Sequence, residues 1–400
     1  MKGGPICRGV SGSAASYSTP QVALPQLAGY FLRLGTVGFG GPIALVGHMQ
    51  KDLVEERRWF TQQDYLQGLA FCQLSPGPLA AQLAIYLGWL HSGILGASLA
   101  GVAFIVPSFL MVVALAKAYI RYGGLSWIQG AFYGIGAAVV AIIARSAVKL
   151  VRTTVGKDWL LWTIFSAMAF TTAWKSAESV WLFVVCGIVA MVWKAPPRLR
   201  NRQSLASLPP VLLRFVTGVH GTATAATIGT LFVFFVKAGA FVFGSGLAIV
   251  PFLYGGVVNQ SHWLTERQFV DAVAIAMITP GPVVITAGFI GYLVAGLVGA
   301  VAAAFAVFAP PYFFVLLGAP YYRRFASMPR IKAFVQGVTA AAVGAIAGAA
   351  YILARRSVMD IPTALIAVLA FAVLSWKKVP EPSLIVAAAV VGVLIQRELR

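Results

Sequence analysis

Long apolar stretches separated by short polar ones fill this chain, and the pattern recurs half a chain later. Apolar segments run at about 93–117, 126–148, 158–174 and 178–194, then again at about 296–318, 334–354, 361–376 and 382–396. Each approaches the roughly 20 residues that a bilayer-spanning helix needs. Ahead of each series lie a glycine-rich apolar segment and one broken by proline, at roughly 64–90 and 268–293.

The breaks are Ser75-Pro76-Gly77-Pro78 and Thr279-Pro280-Gly281-Pro282, 204 residues apart. Proline removes a backbone donor, excludes helix at the residue before it, and suits the first position of a new helix. At membrane depth such backbone survives only inside protein or beside a cavity, so a paired break predicts a central binding site.

The same spacing relates Phe31, Arg33, Gly35, Phe39 and Gly40 to Phe235, Lys237, Gly239, Phe243 and Gly244. It also relates Trp59-Phe-Thr61-Gln-Gln-Asp64 to Trp263-Leu-Thr265-Glu-Arg-Gln268, both read as helix-start capping boxes behind an interfacial tryptophan. Phe104-Ile-Val-Pro107 matches Phe308-Ala-Pro-Pro311 at 204, and Gln129-Gly130 matches Gln336-Gly337 at 207. The chain therefore divides into a tail at 1–23, a membrane repeat at 24–194, a basic linker at 195–214 and a second repeat at 215–400. The tail is rich in Gly and Ser and lacks a signal-peptide core, so it reads as disordered.

Composition agrees, with 60% hydrophobic and only 10% charged residues against roughly 25% charged in soluble domains. The formal charge of +19 gathers in short loops, as in cytoplasmic loops of membrane proteins, and no basic stripe interleaved with aromatics suggests nucleic acid. Cys7, Cys72 and Cys186 are far apart, and His48, His91, His220 and His262 lie at segment ends. Neither set has metal-site or disulfide spacing. No Ser-His-Asp set, carboxylate pair, phosphate-binding loop or HExxH occurs, which argues against catalysis or ATP hydrolysis and against a cofactor.

Loop charge gives a topology. Lys51, Arg57 and Arg58 face only Arg267 at the matching place, while Arg323, Arg324, Arg330 and Lys332 face only Arg121. By the positive-inside rule the halves are inverted. Six apolar segments per half become five spans if the Pro-Gly-Pro segment is re-entrant. The expected fold is thus an all-α polytopic membrane protein of two inverted homologous halves, with about ten transmembrane helices plus a broken, re-entrant Pro-Gly-Pro hairpin in each. The basic cluster Arg145, Lys149, Arg152 and Lys157 falls inside under this scheme, whereas Arg355-Arg356 falls outside.

Arg33 and Lys237 share one repeat position, and a cation in hydrocarbon costs roughly 2.5–3.5 kcal/mol, so a partnered place in the bundle is expected. Snorkelling to an interface is the alternative, stronger for Arg33 near its segment's start. With no acid nearby, the pair suits an anion. Helices restarting at Pro78 and Pro282 offer unpaired amides and positive dipole ends. Gly77 and Gly281 allow close backbone approach, and Ser75 and Thr279 can donate hydroxyl hydrogens. Gly40-Gly41 and Gly244-Ser245-Gly246 either add amides or permit tight helix packing. Asp271 lies just inside an apolar run, as an intramembrane proton carrier or as a capping or pairing charge.

Phe39-Gly40-Gly41-Pro42, Trp59, Ser75-Pro-Gly-Pro78, Phe243-Gly244-Ser-Gly246, Trp263 and Thr279-Pro-Gly-Pro282 resemble the chromate ion transporter family in its long, two-domain form. The resemblance implies a multi-pass protein of the bacterial inner membrane that exports chromate, with sulfate as a related oxyanion, and confers chromate resistance. Potential or proton coupling (an antiporter) and inverted halves are also implied. A homodimer remains open, as do a passive anion channel and a membrane scaffold. The second half departs from the first in having Ser245-Gly246 where the first has Gly41-Pro42.

Overall fold

A computed structural model describes residues 22–39, 41–123, 125–175, 180–195, 225–242, 246, 249–321, 328–358, 360–376 and 379–398. All of the expected tail but Val22 and Ala23, and all of the linker but Ala195, lie outside these. Among the described residues the chain is helical, with no strand.

The first half contains α1 (Leu24–Val37), α2 (Gly41–Gln50, continued by a π turn to Glu56), α3 (Gln62–Leu74), α4 (Leu79–Tyr122), α5 (Ser126–Leu150), α6 (Trp159–Lys175) and α7 (Val180–Lys194). The second contains α8 (Ala225–Ala240), α9 (Ile249–Leu253, with a π turn to Gln260), α10 (Glu266–Ile278), α11 (Thr286–Gly318), α12 (Pro329–Ser357), α13 (Ile361–Trp376) and α14 (Glu381–Glu398). Four helices, at 79–122, 127–150, 283–321 and 329–355, are long and apolar enough to cross a membrane, and five shorter apolar ones accompany them.

Of the two expected capping boxes, the first forms by half, Asp64 Oδ2 accepting from the Thr61 hydroxyl in place of its backbone N–H, and the second forms in full. Thr61 Oγ1 accepts from the Asp64 amide at 3.1 Å, starting α3. At α10 the Gln268 amide donates to Thr265 Oγ1 and the Thr265 amide to Gln268 Oε1, at 3.3 and 2.9 Å, closing a full capping box. Both helices stop where a following proline forces extended backbone, with ψ of 147° at Ser75 and 140° at Thr279.

Each break folds its helices back into a hairpin. Phe71 and Tyr86 ring centroids lie 6.0 Å apart although fifteen residues separate them. A side chain on Gly68 would collide with the Tyr86 ring. The α3 arm of 13 residues is about 20 Å long, short of the roughly 30 Å hydrocarbon core, so the tip ends at depth. A second reversal lies within α4 at Ser92-Gly93, where Gly88 packs on the Gly96 backbone. Its counterpart is Ala295-Gly296 in α11, with Gly291 on Gly299. Residues 94–122 then continue as helix for about 43 Å, with Pro107 inside it, long enough for a full crossing.

The glycine-rich segment ahead of these differs from expectation. Tyr30 and Asp52 would stand about 33 Å apart along one helix, yet the Tyr30 hydroxyl donates to Asp52 Oδ2 at 3.2 Å. Phe234 likewise stacks on Phe252 with centroids 5.3 Å apart. The chain leaves the helix after Val37 and after Ala240, so each of these segments is itself a hairpin. The count of ten spans took each as one crossing and does not carry over to them.

The remaining helices interlock the halves. α6 and α7 pack on α12 of the other half, while α13 and α14 pack on α5. Small residues set these crossings. Gly344 and Gly348 meet the α6 backbone at Phe165 and Ala169, and Gly134 meets Ala388 of α14.

Candidate functional site

The tips of the hairpins meet across the two halves. Gly77 donates its N–H to the Val242 carbonyl at 2.5 Å, and Gly281 donates to the Gly38 carbonyl at 3.1 Å. Gly38 and Val242 are themselves 204 residues apart, so each Pro-Gly-Pro turn clasps the first break of the opposite half. Both turns hold glycine at positive φ, +142° at Gly77 and +100° at Gly281. A Cβ on Gly77 would lie 2.5 Å from Gln82 Nε2 and 2.7 Å from Pro311 Cβ, and one on Gly281 would overlap Ser108 Oγ. These two amides, expected to face a ligand, are engaged in joining the halves.

The free first-turn amides therefore lie one step further, at the start of α4. Its N-cap is Pro78, no side chain caps it, and Leu79, Ala80 and Ala81 are buried. The second half differs, because a 3₁₀ turn at Val283–Ile285 precedes α11. This tighter turn accompanies the loss of one residue. Beyond it the matched contacts, Gly35 on the Phe104 carbonyl and Gly239 on the Val307 carbonyl, run at 203 and not 204.

The tips also differ in polar chemistry. Gln82 is wholly buried, and its Nε2 donates to the Pro76 carbonyl at 2.7 Å and to Ser75 Oγ at 3.1 Å. In the second half Thr279 Oγ1 donates to the Ala276 carbonyl at 3.0 Å and Thr286 Oγ1 to the Val283 carbonyl at 2.7 Å. Both threonine hydroxyl hydrogens are thus used locally. Sequence reasoning missed Gln82, although a lone amide inside Leu79-Ala-Ala-Gln82-Leu-Ala-Ile was there to be seen.

The cations part company. Arg33 sits on the exposed face of α1, opposite Leu27, Tyr30, Phe31 and Leu34, and not in the bundle interior. Lys237 is half-buried near the end of α8. Gly40 and Gly244 lie outside the described residues, Gly41 opens α2, and Gly246 is buried with Val283 Cβ 3.5 Å from where its Cβ would be. Asp271 is 3% exposed on α10, and Tyr119 of the other half donates to its Oδ2 at 2.7 Å.

Asp271 matches Gln67, and the two arms are surrounded differently. Gln62, Gln63 and Gln67 lie along one open face of α3, and Gln73 is exposed nearer the tip. The matching stretch of α10, Phe269 to Met277, is buried throughout. Glutamine amides are costly to place against hydrocarbon, so a glutamine-rich face implies water or protein beside it. The helical spacing of these glutamines was a signal that the sequence reading did not use. A cavity of about 340 Å³ lies between α4 and α11, but its walls are carbon. Its Ser98 and Tyr312 hydroxyls satisfy each other at 2.6 Å, so it offers an anion nothing.

Comparison with known proteins gives the same two-part division. The chromate transporter family profile matches residues 25–191 and again 229–393. The chain is 55% identical over 379 residues to the chromate transport protein of Cupriavidus metallidurans, covering 94% of each chain. It is 54% identical to the probable chromate transport protein of Synechococcus elongatus, over 94% of this chain and 96% of that one. To the chromate transport protein of Pseudomonas aeruginosa it is 31% identical, over 94% and 93%. No solved structure matches it.

Proposed function

The chain belongs to the chromate transporter family, a family of multi-pass membrane proteins, and on that premise we propose that it is a secondary carrier exporting chromate across the bacterial plasma membrane. Sulfate and related oxyanions are the competing substrates, and chromate resistance is the consequence for the cell. The observation that carries this reading is the reciprocal clasp, Gly77 on Val242 and Gly281 on Gly38. Four broken hairpins, joined tip to tip in two crosswise pairs at depth, form a closed barrier that a rocking of one half against the other would open on one side at a time.

In this mechanism the oxyanion sits at the first-turn amides of α4 beside Ser75, where the helix dipole is positive. Lys237 adds charge from its half-buried place, while Arg33 on its exposed face draws anions toward the tips. The glutamine face of α3 supplies a wet approach. Asp271 carries the coupling proton, released or taken up when the Tyr119 contact opens. Inverted halves are part of the proposal and are supported by the uneven number of basic residues in matching loops.

The test is uptake of radiolabelled chromate into everted vesicles, with sulfate as competitor and a proton ionophore as control. Saturable uptake that collapses with the ionophore is expected. Flux that never saturates would make the protein a channel, and no flux would end the transport reading.

A further inference from the structure

Gln82 carries one atom that none of the contacts above use. Its Nε2 reaches a backbone carbonyl, which can only accept, so the orientation of the amide is fixed. Gln82 Oε1 is then a buried acceptor with no donor among the described residues. Such a group is costly to leave unmet and calls for an explanation. Beside it, Ser75 Oγ accepts from Gln82, which leaves the serine O–H to donate elsewhere.

One donor and one acceptor thus stand together at the start of α4, where a helix dipole and first-turn amides favour negative charge. A fully deprotonated oxyanion presents only acceptors. It would satisfy Ser75 and the amides and then meet Gln82 Oε1 lone pair to lone pair. An oxyanion that retains one hydroxyl satisfies every group.

We propose that Ser75 and Gln82 read a proton on the substrate, so that the species bound is the singly protonated oxyanion. Its hydroxyl oxygen accepts from Ser75, its hydrogen goes to Gln82 Oε1, and its charged oxygens face the amides of Leu79, Ala80 and Ala81. At the offset of 203 that follows the turn, Ile285 stands where the first half has Gln82, and the neighbouring Thr286 hydroxyl is spent on Val283, so this reading belongs to the first half alone. The proposal rests on the reading that this break holds the transported oxyanion, and it adds that a proton travels with the anion.

Equilibrium binding of radiolabelled chromate and of sulfate to the full-length protein in nanodiscs tests it, in an Asp271→Asn background so that this carboxylate does not titrate. Lowering the medium from about pH 8 to about pH 6 raises the share of hydrogen chromate and leaves sulfate a dianion. Chromate affinity is expected to rise about tenfold over that range while sulfate affinity stays flat. Gln82→Met is expected to lose most of the rise and, by removing the acceptor that opposes a dianion, to bind sulfate more tightly; Ser75→Ala is expected to lose most of the rise and to weaken sulfate as well, and an unchanged size-exclusion profile shows that each variant remains folded. A flat chromate profile, or a rise that survives Gln82→Met, overturns the proposal and leaves Oε1 to an ordered water. Failure to bind either anion at any pH overturns the underlying oxyanion reading as well.

Discussion

Tyr119 of the first half donates its phenol hydrogen to Asp271 Oδ2 of the second at 2.7 Å, with the carboxylate 3% exposed. Hydrogen bonds to charged groups contribute about 1.5–3 kcal/mol, and a buried carboxylate stripped of its donor loses more than the bond. Tyr119→Phe is therefore expected to lower the melting temperature in detergent and to loosen coupling. Asp271→Asn is expected to keep substrate binding while losing most of the acceleration of uptake by an imposed proton gradient, the proton carried on the anion itself remaining. Gradient-driven uptake by Asp271→Asn equal to wild type would remove Asp271 from the coupling role.

Gly77 and Gly281 face a different constraint, because their positive φ values and crowded Cβ positions leave no room for a side chain. Alanine at either is expected to cost about 1–3 kcal/mol. Gly77→Ala must displace the Gln82 amide and Pro311, whereas Gly281→Ala must displace Ser108. Thermal unfolding of both, with Gly229→Ala on open α8 surface as the near-neutral control, checks the difference.

The cations should separate functionally as they do spatially. Lys237→Ala is expected to abolish chromate transport with the protein still inserted and folded. Arg33→Ala, on an exposed face, is expected to weaken uptake and to reduce its sensitivity to salt, since exposed charges act through screened fields. Initial rates at low and high ionic strength distinguish the two, and normal transport by Lys237→Ala would sink its assignment.

Much of this was legible in the sequence because it is local. Proline after Ser75 and after Thr279 dictates a helix end wherever it occurs, and Thr61 and Thr265 mark the helix starts by spacing alone. The reversal after Val37 was not legible, since glycine permits a turn without requiring one and only Tyr30 against Asp52 reveals it. Tyr119 as the partner of Asp271 lies 152 residues away, and no local pattern encodes such a pairing. The asymmetry of the tips escaped for a related reason. Ser75 and Thr279 look alike in sequence, but one hydroxyl is free to donate and the other is tied to Ala276.

At the surface, Asp158 and Lys194 form an ion pair of 2.5 Å that closes the α6–α7 hairpin beside the edge-on Trp159 and Trp193 rings. The Lys194 hydrogen bond holds the Asp158 carboxyl below the usual aspartate range. A depressed value stabilises the fold above the unfolded pKa of about 3.9, and the contribution disappears as pH falls through the lower folded value. The side chains are 24% and 31% exposed, so screening keeps the pair near the roughly 0–1 kcal/mol of surface bridges. Melting of Asp158→Asn should fall slightly below wild type at neutral pH and coincide with it in strong acid.

Matching loops on opposite faces are what the reciprocal clasp needs if each hairpin enters from its own side. Glu56 and Gln260 occupy equivalent, exposed positions at the base of the first hairpin in each half. In a background with Cys7, Cys72 and Cys186 replaced, a single cysteine at each position reports its side through a membrane-impermeant maleimide. Inverted halves require the two to label from opposite faces, Glu56→Cys in everted vesicles and Gln260→Cys in intact cells. If both label from one face, the halves are parallel. The clasp would then hold two hairpins entering from the same side, and alternating access would need a motion other than the rocking of inverted halves.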